Sequence, residues 1–194
     1  MSTSTKPAAR NVVLNVPNQL TGLRLVLSVA LFCLIGLHYY WSAFVVFLIA
    51  ASTDWLDGYY ARKYGQVTVL GRILDPFVDK VIICGSFIYL AAEPGSGIRP
   101  WMAVVVTGRE LLVTALRSFL EGEGADCSAS MSGKLKMGFQ CLAVALSLYG
   151  LSAASGFDGS LQLARDAAIW AAVALTIYSG AIYVASAVRL MRKP

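Results

Sequence analysis

The sequence has little charge and almost no histidine: Asp, Glu, Lys and Arg make up 14% of its 194 residues, and His38 is the one histidine. A soluble domain carries about 25% charged residues. With 57% hydrophobic residues and a mean hydropathy of +0.65, a water-soluble globular domain is excluded. The same apolar content excludes a disordered chain. A lone histidine cannot build a paired imidazole metal site, and His38 reads as an interfacial residue. Cys33, Cys84, Cys127 and Cys141 show no CxxC spacing, and three of them sit in apolar runs. They read as small core residues, which excludes a zinc site and a disulfide framework. No cleaved signal peptide is expected, because the first apolar run begins near residue 20 and is too long for an h-region.

What the chain does have is long apolar stretches. A membrane span needs about 20 apolar residues, and six such stretches occur, at roughly 20–38, 42–62, 73–92, 101–120, 134–154 and 166–190. The expected fold is therefore all-α, a polytopic membrane protein with six transmembrane helices. Residues 1–10 form a polar tail, and 11–194 form one membrane domain. Residues 11–19 are mildly amphipathic and carry Pro17, which suits a short interfacial helix. Turn formers mark the connections: Gly65 and Gly71, the PGSG at 94–97, and Gly156 with Gly159.

The formal charge of +5 fits this layout. With the N-terminus cytoplasmic, Lys6, Arg10, Arg62, Lys63, Arg72, Lys134, Lys136, Arg189, Arg192 and Lys193 all fall on the cytoplasmic side. Only Arg99 and Arg165 fall in the opposite loops, beside Glu93 and Asp158. The positive-inside rule then puts both termini in the cytoplasm. The basic excess speaks for topology and anionic lipid rather than nucleic acid. Tyr39, Trp41 and Trp101 read as interfacial belt residues.

The informative segment is 54–79, DWLDGYYARKYGQVTVLGRILDPFVD. Asp54 and Asp57 lie three apart near the end of the second span, and Asp75 and Asp79 four apart at the start of the third. Each pair therefore shares a helix face. Folding the two antiparallel spans about the 63–72 connection brings all four carboxylates to nearly the same depth, in the cytoplasmic leaflet. One charge deep in a bilayer costs about 2.5–3.5 kcal/mol on the lenient insertion scale, and four neighbouring aspartates also repel. Two divalent cations would remove both penalties. Ligands that are all oxygen point to Mg²⁺ or Mn²⁺ rather than zinc or copper. The competing reading, salt bridges to Arg62, Arg72 and Lys80, does not account for paired spacing on both helices. Gly58, Ala61 and Gly71 keep the neighbouring backbone open to a phosphorylated ligand, although each alone also suits helix packing.

These residues form the pattern D-x2-D-G-x2-A-R-x8-G-x3-D-x3-D, carried by Asp54, Asp57, Gly58, Ala61, Arg62, Gly71, Asp75 and Asp79. The pattern resembles the signature of the CDP-alcohol phosphatidyltransferase family, and the six-span layout extends the likeness over most of the chain. The resemblance implies that Asp54, Asp57, Asp75 and Asp79 ligate two Mg²⁺ ions, with Asp79 also the general base unless a metal ion activates the acceptor hydroxyl. It implies that Gly58, Ala61, Arg62, Thr68 and Gly71 hold the cytidine diphosphate part of CDP-diacylglycerol, with Pro17 and Asn18 at the pocket's border. It further implies a homodimer in a bacterial inner or cell membrane, with the active site facing the cytoplasm.

The flanks VPNQLTGLR (16–24), GRELLVTALR (108–117) and GKLKMGFQ (133–140) resemble the members that take glycerol 3-phosphate as acceptor. Met137 is a departure, since Thr is usual there. Such an acceptor needs a second anionic subsite, for which Arg109, Arg117, Lys134 and Lys136 are the candidates. Arg109 lies mid-span, where a cation needs a partner or a wet cavity; pairing with Glu110 or with a cluster carboxylate is the alternative. For Lys134 and Lys136 the alternative is cytoplasmic anchoring. Arg24 either snorkels or faces the pocket. Two other readings stay open: the same chemistry with inositol phosphate, serine or phosphatidylglycerol, and a divalent-cation transporter.

Overall fold

The computed structural model describes residues 16–64, 69–122, 131–153 and 158–191; within these, the side chains of 16–18, 54–64, 69–73, 75, 119–122, 131–134 and 190–191 are outside the description. The described residues form six helices and no strand: α1 (Val16–Gly36), α2 (Tyr40–Tyr64), α3 (Val69–Ala92), α4 (Pro100–Gly122), α5 (Met131–Ser152) and α6 (Gly159–Met191). All six expected helices are found. Three of them hold segments long and apolar enough to cross a membrane, Gln19–Gly36, Leu135–Ser152 and Gly159–Arg189. The outward faces are apolar as well, with Val26, Val104, Leu111 and Leu163 each more than 60% exposed. Water would not tolerate that surface; lipid does. The chain is a membrane protein.

All six helices start earlier than expected. Gly71 does not sit in a turn but in the first turn of α3, and Gly159 opens α6, which starts seven residues before the expected 166. Val16–Gln19 belong to the first turn of α1 rather than to a separate interfacial helix, while residues 11–15 lie outside the described residues. In an apolar medium every free backbone N–H and C=O is costly, so helices run on past the residues that would end them in water. Pro17 fits the new start, because a first-turn proline gives up only an N–H that has no helical partner.

Packing closes the six helices into a ring in which α1, α2, α5, α6, α4 and α3 follow one another, with α3 also against α5. The two helices that carry the aspartates, α2 and α3, share α1 and α5 as neighbours. Long-range pairs fix the register. Phe32 of α1 stacks on Tyr89 of α3 at 5.2 Å between ring centroids, with Gly85 directly beneath the Phe32 ring. Trp101 of α4 lies 5.8 Å from Trp170 of α6. The core between the helices is formed by residues such as Leu31, Ile35, Phe47, Phe87, Met102, Val106, Leu148 and Ile169.

The end of the bundle opposite the aspartates is tightly tied. The α1–α2 turn ends α1 with Tyr39 N–H bonding to Leu34 O and His38 N–H to Ile35 O, both at 2.9 Å. His38 takes the left-handed position that glycine usually fills there, at φ 62°. Tyr40 donates to Glu93 at 2.7 Å, joining this turn to the α3–α4 loop. Within that loop Ser96 Oγ donates to Leu90 O, and Arg165 of α6 donates to Gly95 O at 2.7 Å. Gly97, at φ 80°, leaves room for Arg165, whose Nε would lie 2.8 Å from an added Cβ.

Candidate active site

The aspartates divide as the sequence spacing requires, Asp54 and Asp57 in the last three turns of α2 and Asp75 and Asp79 in the first three of α3. Pro76 lies inside α3 directly after Asp75, and lacking an N–H it removes one backbone hydrogen bond there. Of these four, Asp79 is the one whose side chain is described. Its Oδ1 accepts a hydrogen bond from Arg24 Nη1 at 2.8 Å, with Arg24 only 1% and Asp79 28% exposed. Arg24 therefore does not snorkel. It reaches from α1 to Asp79 and ties α1 to α3.

Register carried from helix to helix gives the depth of the remaining aspartates. Trp41 and Phe44 of α2 pack on Tyr149 of α5 at 6.4 and 5.7 Å. Lys136 of α5 pairs with Glu110 of α4, and Thr107 of α4 faces Cys84 of α3. Followed along these antiparallel neighbours at about 1.5 Å per residue, the α2 backbone at Asp57 lies level with α3 at Asp79. Asp54 falls about one turn to one side of that level and Asp75 about one turn to the other, leaving these two about 10 Å apart in depth. The four backbone positions thus occupy one slab about two turns thick, wider than the nearly common depth expected from folding the two spans about the 63–72 connection. Which carboxylates face one another lies outside the described residues, as does a direct packing of α2 on α3 around them.

Of the other expected ligand contacts, Gly58, Ala61 and Arg62 lie in the last two turns of α2, Gly71 in the first turn of α3, and Pro17 and Asn18 in the first turn of α1. Their side-chain positions, and Thr68 altogether, are outside the described residues.

A second polar cluster lies in the same slab, between α4, α5 and α6. Lys136 Nζ is paired with Glu110 Oε1, both buried. Arg109 donates to the same oxygen at 3.3 Å and to Ser179 Oγ at 2.9 Å. Arg117 donates to the Tyr183 hydroxyl at 2.7 Å. Gln140 donates to Thr176 at 3.1 Å one turn deeper on α5. Three of the four expected acceptor cations, Arg109, Arg117 and Lys136, are therefore gathered in one place. The fourth, Lys134, stands in the first turn of α5 with its side chain outside the described residues.

Among the described residues the charge here is not balanced. The expected Arg109–Glu110 pair is present, but Glu110 is shared between Arg109 and Lys136, and Arg117 rests on Tyr183 instead. Arg109 Nε and Arg117 Nε are buried donors with no acceptor among the described residues. Buried donors are normally satisfied, so a dianionic group with several oxygens fits this cluster better than a neutral one. Sequence reasoning missed Ser179 and Tyr183 and left Arg24 undecided. The signal for the first two was a polar row, Thr176, Ser179 and Tyr183, on one face of an otherwise apolar helix.

Comparison with known proteins gives a family. A family model described as CDP-alcohol phosphatidyltransferase matches residues 14–178. The chain is 41% identical over 138 residues to the CDP-diacylglycerol–glycerol-3-phosphate 3-phosphatidyltransferase of Bacillus subtilis, covering 70% of this chain and 68% of that one. It is 38% identical over 189 residues to a probable phosphatidylglycerophosphate synthase of Mycobacterium tuberculosis, covering 94% and 86%. A Salmonella choleraesuis protein with the same name as the Bacillus one is 31% identical over 178 residues, covering 89% and 94%.

Proposed function

Because the chain belongs to the CDP-alcohol phosphatidyltransferase family, we propose that this phosphatidyltransferase moves a phosphatidyl group from CDP-diacylglycerol to glycerol 3-phosphate, giving phosphatidylglycerophosphate and CMP. The acceptor assignment rests on one observation: Arg109 and Lys136 meet on the Glu110 carboxylate while Arg117 joins Arg109 at Tyr183, with guanidinium donors to spare. Two relatives named for transfer from CDP-diacylglycerol to glycerol 3-phosphate, and one named as a probable phosphatidylglycerophosphate synthase, support it. An acceptor without a phosphate would leave that charge uncompensated.

Asp54, Asp57, Asp75 and Asp79 suit two Mg²⁺ ions, or Mn²⁺, because the donor set is entirely hard oxygen and lies within one slab of the bundle. Bound there, the ions would supply neutralising charge at the diphosphate of CDP-diacylglycerol. The acceptor hydroxyl attacks the phosphorus that bears the diacylglycerol oxygen, the anhydride bond to CMP breaks, and the proton passes to Asp79. Arg24 orients the Asp79 carboxylate through its hydrogen bond. Arg62 holds the cytidine diphosphate by charge, and Gly58, Ala61, Thr68 and Gly71 let its backbone contacts close, with Pro17 and Asn18 at the border. Arg109, Arg117, Lys134 and Lys136 bind the acceptor phosphate and so set its hydroxyl beside Asp79.

The remaining architecture follows from the same reading. All six helices span the membrane, the aspartate end faces the cytoplasm with both termini, the membrane is the bacterial inner or cell membrane, and the protein works as a homodimer. The sequence supports the orientation, since its basic residues gather at the aspartate end.

The test is CMP release by purified protein in detergent with Mg²⁺, offered glycerol 3-phosphate, inositol phosphate, serine or phosphatidylglycerol. Release with glycerol 3-phosphate alone is expected. Release with inositol phosphate and none with glycerol 3-phosphate overturns the acceptor, and divalent-ion flux into liposomes without CMP formation overturns the enzyme.

A further inference from the structure

We propose that Tyr183 is the positioning residue of the acceptor subsite, holding the guanidinium groups of Arg109 and Arg117 in the geometry that receives the phosphate. The inference rests on the acceptor reading above and adds a residue to it. Arg109 Cζ lies 5.8 Å and Arg117 Cζ 5.6 Å from the centre of the Tyr183 ring. Both distances are within the ~6 Å at which a cation is attracted to an aromatic face. The Tyr183 hydroxyl also accepts from Arg117 Nη2 at 2.7 Å. One side chain thus touches both arginines, which stand eight residues apart on α4.

The rest of the α6 face completes the frame. Ser179, one turn before Tyr183, takes the Nη2 of Arg109 at 2.9 Å. Gly180 lies beneath the stem of Arg109, whose Cγ would stand 3.1 Å from an added Cβ. A free arginine explores many rotamers, and ordering it costs binding free energy. Two arginines already pinned on one ring, with their Nε donors unspent, meet that cost before the phosphate arrives. Tyr183 itself needs no contact with substrate. Its effect passes through Arg109 and Arg117.

The experiment measures KM and kcat for both substrates in native protein, Tyr183→Phe and Tyr183→Leu, with calorimetric binding of glycerol 3-phosphate as a readout apart from turnover. Phenylalanine keeps the ring and loses one hydrogen bond to a charged group, so KM for glycerol 3-phosphate should rise about tenfold. Leucine loses both interactions, and the rise should reach about a hundredfold. KM for CDP-diacylglycerol should stay within about twofold, since Tyr183 does not touch that subsite. If Tyr183→Leu fails to fold, Tyr183→Phe carries the test. Unchanged KM for glycerol 3-phosphate, or equal rises for both substrates, overturns the proposal while leaving the acceptor assignment intact. Native protein that ignores glycerol 3-phosphate overturns both.

Discussion

Arg24→Met removes the charge that α1 brings to Asp79 and keeps most of the side-chain volume. Breaking a fully buried ion pair by deleting one partner costs about 3–5 kcal/mol. Asp79 is 28% exposed, so some solvation is regained. The lost charged hydrogen bond sets a floor of about 1.5 kcal/mol, and the expected destabilisation is about 2–3 kcal/mol. Denaturation in mixed detergent micelles, followed by circular dichroism, measures it. A double-mutant cycle with Asp79→Asn isolates the pair: the Arg24→Met penalty should shrink by about 2 kcal/mol in that background. CMP release should also fall in Arg24→Met without a change in KM for glycerol 3-phosphate, since Arg24 lies away from the acceptor cations. A penalty that is the same in both backgrounds would refute the coupling of α1 to the catalytic carboxylate.

Two further outcomes follow from the packing. Arg109→Ala leaves Ser179 and Glu110 without their guanidinium partner and should raise KM for glycerol 3-phosphate at least tenfold, with KM for CDP-diacylglycerol nearly unmoved; steady-state kinetics with each substrate varied checks this. Gly85→Ala would put a Cβ 2.2 Å from the Phe32 ring, at the contact of α1 with α3. It should destabilise the bundle by about 1–3 kcal/mol, and Phe32→Leu in the same chain should restore most of the loss.

Much of this was legible in the sequence, and the reason is the solvent. In a membrane each span must satisfy its own backbone, so six apolar stretches read directly as six helices, which the structure contains. The paired aspartates were legible because their i, i+3 and i, i+4 spacing is a local property of a helix. A partner for Arg109 was legible because a cation at mid-span depth demands one, and Glu110 is that partner. Helix ends were less legible: Gly71 and Gly159 end helices in water, yet here they lie within them. Arg24 was undecided because its partner is 55 positions away on another helix, and only the parallel register of α1 and α3 brings the two together. Tyr183 was hidden for a similar reason. A tyrosine near a span end reads as an interfacial anchor until the arginines of α4 are found against its ring.

The central claim is that the aspartate slab holds two divalent ions that serve phosphatidyl transfer. Its most direct test is a titration of bound Mn²⁺ per chain by electron paramagnetic resonance, run beside CMP release on the same preparations. Native protein should bind two ions per chain and Asp57→Asn fewer, with CMP release lost in that variant and the helical content retained. Undiminished CMP release in Asp57→Asn, or in native protein stripped of all divalent ions, would contradict it.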